Sequence, residues 1–395
     1  MKLFFLTSTF YPSIGGVEVG IHNLSVNISK MGNQVFVVCP WQAKFMPDKC
    51  NLPYKIIALP PKFFYLVRFW RFPPIKLIYL IYYYILNKIY KPDFWHISMS
   101  YPAGFSFLPF AKFCSPNYLV RSVGVDIQIN KATGYGYRIS DNVNNLFLNE
   151  FRNIKNHVAA SSCLEFEYKK LGVAKKHIHR ISNGVQLQRF QVNKSNLDNK
   201  NDRFINLVSV GRNEPKKNYK NLIYSFEILQ AKSKNKYKLK IIGSNVKNLK
   251  TYLSQESMPY VELIEPKNYS SKSLFNDIYS LPSLDIINAY LNADIFVFSS
   301  LIESFGIVVL EAMAAGLPII AFDVLGINEL VKNEFNGILV EPNNNKEFAN
   351  AIISISSKTV MERMSKNSLK LSKKYDYRNI ANQYLNLYQK IINEK

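Results

Sequence analysis

Apolar and polar positions follow one another in an order that predicts strands and helices by turns. Residues 2–9 begin with an apolar run, which predicts a buried strand. A loop with Pro12 and the pair Gly15-Gly16 follows. Val17, Ile21, Leu24, Ile28 and Met31 then recur at helical spacing and stop at Gly32. Residues 34–39 are apolar again. Strand, glycine turn, helix and strand make a βαβ unit, whose glycines let the backbone approach a ligand phosphate. Further short strands are expected at 94–97, 118–121 and 177–181. After a polar stretch at 191–203 the same order restarts. Residues 204–210 predict a strand ending in Gly211-Arg212, with a helix opening at Lys217-Asn218. Strand-like runs recur at 239–243, 293–298, 319–322 and 336–340. Ile380, Tyr384, Leu387, Tyr388 and Ile391 close the chain on an amphipathic helix. The pattern is α/β, in two halves.

Residues 299–318 interrupt this regularity. The helix expected at 307–315 is apolar nearly all round, hence buried, and begins at Phe305-Gly306 after a central strand. Open α/β sheets bind ligands at that place, and helix amides there point at anions. Glu303 lies in the turn and Glu311 within the helix, with seven residues between them. A buried Glu311 needs hydrogen-bond donors, such as sugar hydroxyls; the alternative is a loop Glu and a helix-surface Glu. Arg212 and Lys217 stand at another strand-to-helix turn, which aims two cations and helix amides at one point.

The run E-S-F-G-I-V-V-L-E-A-M-A-A-G-L-P resembles the E-x7-E signature of retaining GT-B glycosyltransferases, family 4 in particular. The resemblance implies two Rossmann-like doubly wound domains facing across a cleft. It implies transfer of a sugar from a nucleotide-diphosphate sugar to an acceptor hydroxyl, with retention. On it, Glu303 is the catalytic candidate beside the sugar and Glu311 holds the ribose. G-R-N-E-P-K-K-N resembles the family's pyrophosphate clamp, with roles for Arg212 and Lys217. Gly15, Gly16, Gly243, Phe305, Gly306, Ile307 and Val308 join the donor side. Residues 121–126 resemble the acceptor-side loop, where Val123 replaces the histidine many members carry. Asp126 and His96 are the acceptor-side candidates, although His96 reads equally as a satisfied core histidine. Asn183-Gly184-Val185 resembles the loop leaving the first domain. The expected domains are 1–190 on the acceptor side and 203–375 for the nucleotide sugar, with a helix at 376–395 returning to the first. A sugar-nucleotide epimerase of the same fold, or a non-catalytic nucleotide-sugar-binding protein, would keep many of these motifs.

Charge adds a second theme. Across 395 residues, 50 Lys and Arg outnumber 28 Asp and Glu, giving net +22 and a preference for anionic partners. No finger, recognition helix or arginine-rich tract is present, so nucleic acid is not expected. Residues 61–92 interleave aromatic and aliphatic side chains with Lys62, Arg68, Arg71, Lys76, Lys88 and Lys91. That is the composition of a segment lying on an anionic membrane surface; the alternative is a helix facing the other domain. No apolar run there is long enough to span a membrane. The expected acceptor is a saccharide or lipid-linked precursor of a surface polysaccharide. Cys39, Cys50, Cys114 and Cys163 show no metal spacing, and the apolar start ends at Thr7, which reads as a strand rather than a signal. The expected location is therefore cytoplasmic, peripheral on the inner face of the membrane. No two aspartates are two residues apart, and His177 and His179 lack a third ligand nearby. Neither metal nor cofactor is expected. Residues 265–285 are a polar excursion with no assigned role.

Overall fold

A computed structural model describes residues 1–11, 13, 15–45, 52–190, 204–233, 236–265 and 282–394. The predicted linker at 191–203, most of the polar excursion at 265–285, and Pro12 and Cys50 lie outside the described residues. The chain divides into two compact units. One comprises Met1–Gly184 and Tyr377–Lys395, the other Val185–Asn268 and Pro282–Asp376.

The first unit runs β1 (Lys2–Thr7), α1 (Gly16–Lys30), β2 (Gln34–Cys39), β3 (Lys55–Ala58), α2 (Pro73–Tyr90), β4 (Phe94–Ser98) and α3 (Phe105–Cys114). It continues with β5 (Tyr118–Arg121), α4 (Asp141–Glu150), β6 (His157–Ala159), α5 (Ser162–Lys170) and β7 (Ile178–Arg180). All seven strands are parallel, in the order β3-β2-β1-β4-β5-β6-β7. β1 ends two residues before the apolar pattern suggests. The Thr7 hydroxyl donates to the Thr9 carbonyl at 2.8 Å and closes a tight turn that competes with strand pairing.

The second unit runs β8 (Ile205–Val210), α6 (Tyr219–Ser233), β9 (Tyr237–Ile242), β10 (Val261–Ile264), α7 (Leu284–Leu291), β11 (Ile295–Phe298) and α8 (Ile307–Ala314). β12 (Ile319–Phe322), β13 (Gly337–Val340), α9 (Asn345–Ile355) and α10 (Lys358–Ser372) complete it. Its six parallel strands have the order β10-β9-β8-β11-β12-β13. β11 and β12 are buried at every position, as strands covered by helices on both faces must be. In each unit the first strand lies beside the fourth, and the connections leave these two neighbours in opposite directions. That switch point opens a crevice at the carboxyl ends of the strands.

The last helix, α11 (Tyr377–Asn393), belongs to the first unit and packs on α1. Tyr384, Leu387, Tyr388 and Ile391 bury the stripe that the heptad-like spacing predicts, against Ile21, Leu24, Phe5 and Phe94. Tyr388 Oη lies 2.6 Å from His96 Nδ1, and both residues are buried. The opposite face of the sheet packs Phe4 and Trp95 against Tyr83 of α2 and Phe107 of α3.

Tyr388→Phe leaves the His96 Nδ1 without its partner at constant packing. The urea midpoint should fall by the equivalent of about 1–3 kcal/mol; an unmoved midpoint would mean that this bond does not fasten α11.

Candidate active site

The switch point of the second unit lies between β8 and β11. After β8 the chain turns at Gly211 and Arg212, then forms a short 3-10 turn at Pro215–Lys217. Asn218 takes a left-handed conformation, with φ of 55°, so α6 starts only at Tyr219. That pause leaves Lys217 in the turn rather than on the helix. After β11 the hydroxyl of Ser299 donates to the Lys217 carbonyl at 2.8 Å. The Leu301 amide donates to the Lys216 carbonyl at 2.8 Å. Two loops distant in sequence are thereby tied backbone to backbone.

Their side chains meet as well. Lys217 Nζ lies 2.9 Å from Glu303 Oε2, with side chains 12% and 13% exposed. The same ammonium lies 4.6 Å from the centroid of the Phe298 ring, a cation–π contact. Burial alone would raise the Glu303 carboxyl, but the charges of Lys217 and Lys216 outweigh it and hold the group below its ordinary value. Burial lowers Lys216, with Glu303 opposing that trend. Glu303 is therefore a largely shielded carboxylate held by cations.

Glu311 is in a different state. It is 6% exposed, among Leu310, Ala312 and Met313. Its donor is the Tyr290 hydroxyl of α7, at 3.0 Å from Oε2. Burial pushes its carboxyl up to about 7, and the Tyr290 hydrogen bond and the Arg189 charge offset only part of that. Tyr290 is a site residue that sequence reasoning missed. It stands 21 residues upstream, and nothing local marks it.

The remaining donor-side positions frame these two carboxylates. Gly306 caps α8 with φ of 87°, a conformation in the left-handed region that favours glycine. The amides of Ile307 and Val308 belong to the first turn, where a helix offers donors without an intrahelical acceptor. Phe305 is buried against Tyr375. Gly243 follows β9, and a Cβ there would meet the Gly211 carbonyl oxygen at 1.8 Å, so only glycine lets the two turns touch. The Arg212 side chain is 62% exposed and pairs with Glu214 at 3.3 Å, not with Glu303.

Four candidates fall in the first unit. Gly15 is extended and Gly16 opens α1. Beside them the Thr9 hydroxyl donates to Glu18. Asp126 is fully buried and accepts from the amides of Ser100, Val123 and Gly124 at 2.5–3.0 Å, which folds the 122–126 loop. His96 is buried against Tyr388, and burial together with the Arg121 charge keeps its imidazole neutral.

Two family models match the chain: Glycosyltransferase Family 4 over residues 14–189 and Glycosyl transferases group 1 over residues 190–371. Among curated proteins, the Escherichia coli UDP-Gal:alpha-D-GlcNAc-diphosphoundecaprenol alpha-1,3-galactosyltransferase is 43% identical over 83 residues, 21% of either chain. The matches to the first curated relatives span less than half of their length. A Rickettsia africae glycosyltransferase structure aligns over 100% of both chains at 17% identity and a TM-score of 0.75. Anabaena HepE in complex with UDP aligns over 99% of this chain and 100% of its own at 17% identity and a TM-score of 0.73.

The raised Glu311 carboxyl has a stability consequence of definite sign. Its folded value of about 7 exceeds the ordinary 4.5, so its contribution is complete below 4.5 and is lost as pH rises through about 7. Relative to wild type, Glu311→Gln should therefore gain up to about 3 kcal/mol between about pH 5 and about pH 8. Paired denaturant titrations at the two pH values check this, and a pH-independent difference would refute it.

Proposed function

The chain belongs to the group 1 and Family 4 glycosyltransferases, and we propose that it transfers a sugar from a nucleotide-diphosphate donor to an acceptor hydroxyl. The fold is GT-B, with two Rossmann-like units. The observation that carries the reading is the Lys217–Glu303 pair, largely shielded from solvent, at the switch point of the second unit. An ammonium has three donors, and Glu303 takes one. The others suit a donor diphosphate, with Arg212 and the amides of Ile307 and Val308 adding positive potential. As the bond from the anomeric carbon to the diphosphate breaks, negative charge gathers on the departing oxygen and positive charge on the sugar ring. The bond to the acceptor oxygen forms, and the hydroxyl proton is free to pass to that departing phosphate. Glu303 supplies a fixed negative charge beside the ring, and in this reading the anomeric configuration is retained. Glu311, at the other end of the signature, accepts from the ribose hydroxyls. Gly15, Gly16 and Gly243 let backbone approach the donor.

The E. coli relative's name gives a diphosphoundecaprenol-linked sugar as its substrate. A lipid-linked saccharide acceptor is the matching proposal here, with Asp126 shaping the acceptor-side loop and His96 supporting the sheet behind it. The first unit carries a surface that fits such a substrate. α2 buries Tyr79, Tyr83 and Leu86. Its outer face carries Leu77, Ile78, Ile81, Tyr84, Ile85 and Ile89, each 42–67% exposed and all on one helical stripe. A helix facing water would be polar there. Arg68, Lys76 and Lys88 lie over the rings of Tyr65, Trp70 and Tyr84, and residues 61–92 hold no acid. Among the described residues no helix is long and apolar enough to cross a membrane. An apolar stripe ringed by cations suits the headgroup region of an anionic membrane, which makes the protein peripheral on the cytoplasmic leaflet.

Glu303→Gln keeps an acceptor for Lys217 while removing the charge. Turnover of the accepted nucleotide sugar should drop by about a hundredfold or more with the circular dichroism unchanged; near-normal turnover would remove Glu303 from the chemistry. For the membrane, co-sedimentation with phosphatidylcholine vesicles is compared with vesicles also containing phosphatidylglycerol. Wild type should prefer the anionic vesicles, and reversing Arg68, Arg71 and Lys76 to Glu should weaken that binding roughly a hundredfold. Equal binding by both proteins would end the proposal.

A further inference from the structure

Glu214 is the only acid in the sequence between β8 and α6, and it stands there with three cations, Arg212, Lys216 and Lys217. Its carboxylate spans two of them. Oε1 lies 3.3 Å from Arg212 Nε, and Oε2 lies 4.0 Å from Lys216 Nζ. One anion shared between a guanidinium and an ammonium is the arrangement a phosphate group would adopt. Glu214 also occupies the N-cap position of the 3-10 turn at Pro215–Lys217, yet its side chain makes no cap hydrogen bond. The carboxylate is engaged with the cations and not with the turn.

The backbone around Glu214 is fixed without that carboxylate. The Asn213 amide donates to the Ser244 carbonyl at 2.9 Å, and its side-chain amide to the Asn245 carbonyl at 3.0 Å. The Lys217 amide donates to the Glu214 carbonyl at 2.8 Å, and the loop after β11 holds the Lys216 and Lys217 carbonyls. What is left to move is the Glu214 side chain, 35% exposed, beside the more exposed Arg212. Exposed pairs of this kind are weak, because water screens them and each long side chain gives up rotamer freedom. The shielded Lys217–Glu303 pair is not of this kind, since parting it would strand a charge away from water. Lys216 feels both acids. Burial lowers it, with Lys217 and Arg212 adding to that and Glu303 and Glu214 opposing it. Three cations thus share one place with two carboxylates, one fixed and one easily parted.

We propose that Glu214 is a displaceable counterion standing where the donor's diphosphate binds. In the free protein it holds Arg212 and Lys216 together. It yields them to the arriving diphosphate and takes them back as the nucleoside diphosphate leaves. This rests on the reading of the turn as the diphosphate site. Glu214 is a positioning residue here, and its effect on affinity has a distinctive sign. A carboxylate that competes with the ligand lowers apparent affinity by the fraction of protein it blocks, so removing it tightens binding. A carboxylate that only shaped the turn would loosen binding when removed.

The test is calorimetric titration of the full chain with inorganic pyrophosphate. Glu214→Gln keeps the size of the side chain and removes its charge. It should tighten pyrophosphate binding about fivefold, with the circular dichroism unchanged. Arg212→Gln alone should weaken binding about tenfold. On that background Glu214→Gln should gain about twofold or less, because one of the two cations it competes for is gone. Glu262→Gln removes an exposed carboxylate paired with Lys240, and should bind as wild type does. An equal gain from Glu262→Gln, or an undiminished gain on the Arg212→Gln background, assigns the effect to net charge and overturns the counterion. Arg212-dependent binding that Glu214→Gln leaves unchanged or weakens defeats the counterion alone. Pyrophosphate binding indifferent to Arg212→Gln, or absent from every variant, removes the diphosphate site and the counterion with it.

Discussion

The second unit depends on the placement of one ammonium. A lysine buried without a partner would shed its proton or unfold its surroundings, and a buried glutamate alone would take one up. From 2.9 Å away, at the end of an adjacent strand, Lys217 holds the Glu303 carboxyl below its ordinary value against the burial that would raise it. The backbone tie from Leu301 to the Lys216 carbonyl and the left-handed Asn218 hold the two loops in register for that contact. Removing either partner would leave an uncompensated charge, a change worth about 3–5 kcal/mol in typical buried pairs. The pair is thus a structural fastening, and a substitution that preserves the hydrogen bond disturbs the fold less than alanine does.

The two glutamates of the signature are set apart by their neighbours, not by their sequence. Glu303 has cations and is held below the ordinary carboxylate range. Glu311 has a phenol and apolar side chains, and burial pushes it to about 7. Environments that drive two carboxyls in opposite directions commonly mark a division of labour. A charged group suits a developing positive ring. A group poised near neutrality suits a site where arriving hydroxyls supply the hydrogen bonds that favour its ionised form.

Much of this was legible in the chain. Strand-to-helix periodicity gave the order of both units because each βαβ step is local, and the final stripe at Ile380, Tyr384, Leu387 and Ile391 is the one α11 buries. The glutamate spacing and the Lys217 turn were visible for the same reason. Contacts between distant segments were not. Tyr290 meets Glu311 from another helix, and Tyr388 meets His96 across 292 residues. The edge strands β3 and β10 are half-exposed and four residues long, too short for alternation to mark them. The helix start at Tyr219 was misread by two residues because a left-handed asparagine leaves little trace in hydrophobicity.

The contrast between the units says more than either does alone. Both shield a cation near the carboxyl ends of their central strands, but among the described residues only the second pairs it with a carboxylate. Lys217 has the Glu303 carboxylate 2.9 Å away, whereas Arg121 donates to the amide oxygen of Asn183. Selection for stability alone favours the first arrangement and removes the second, since an apolar residue at position 121 would avoid the desolvation cost.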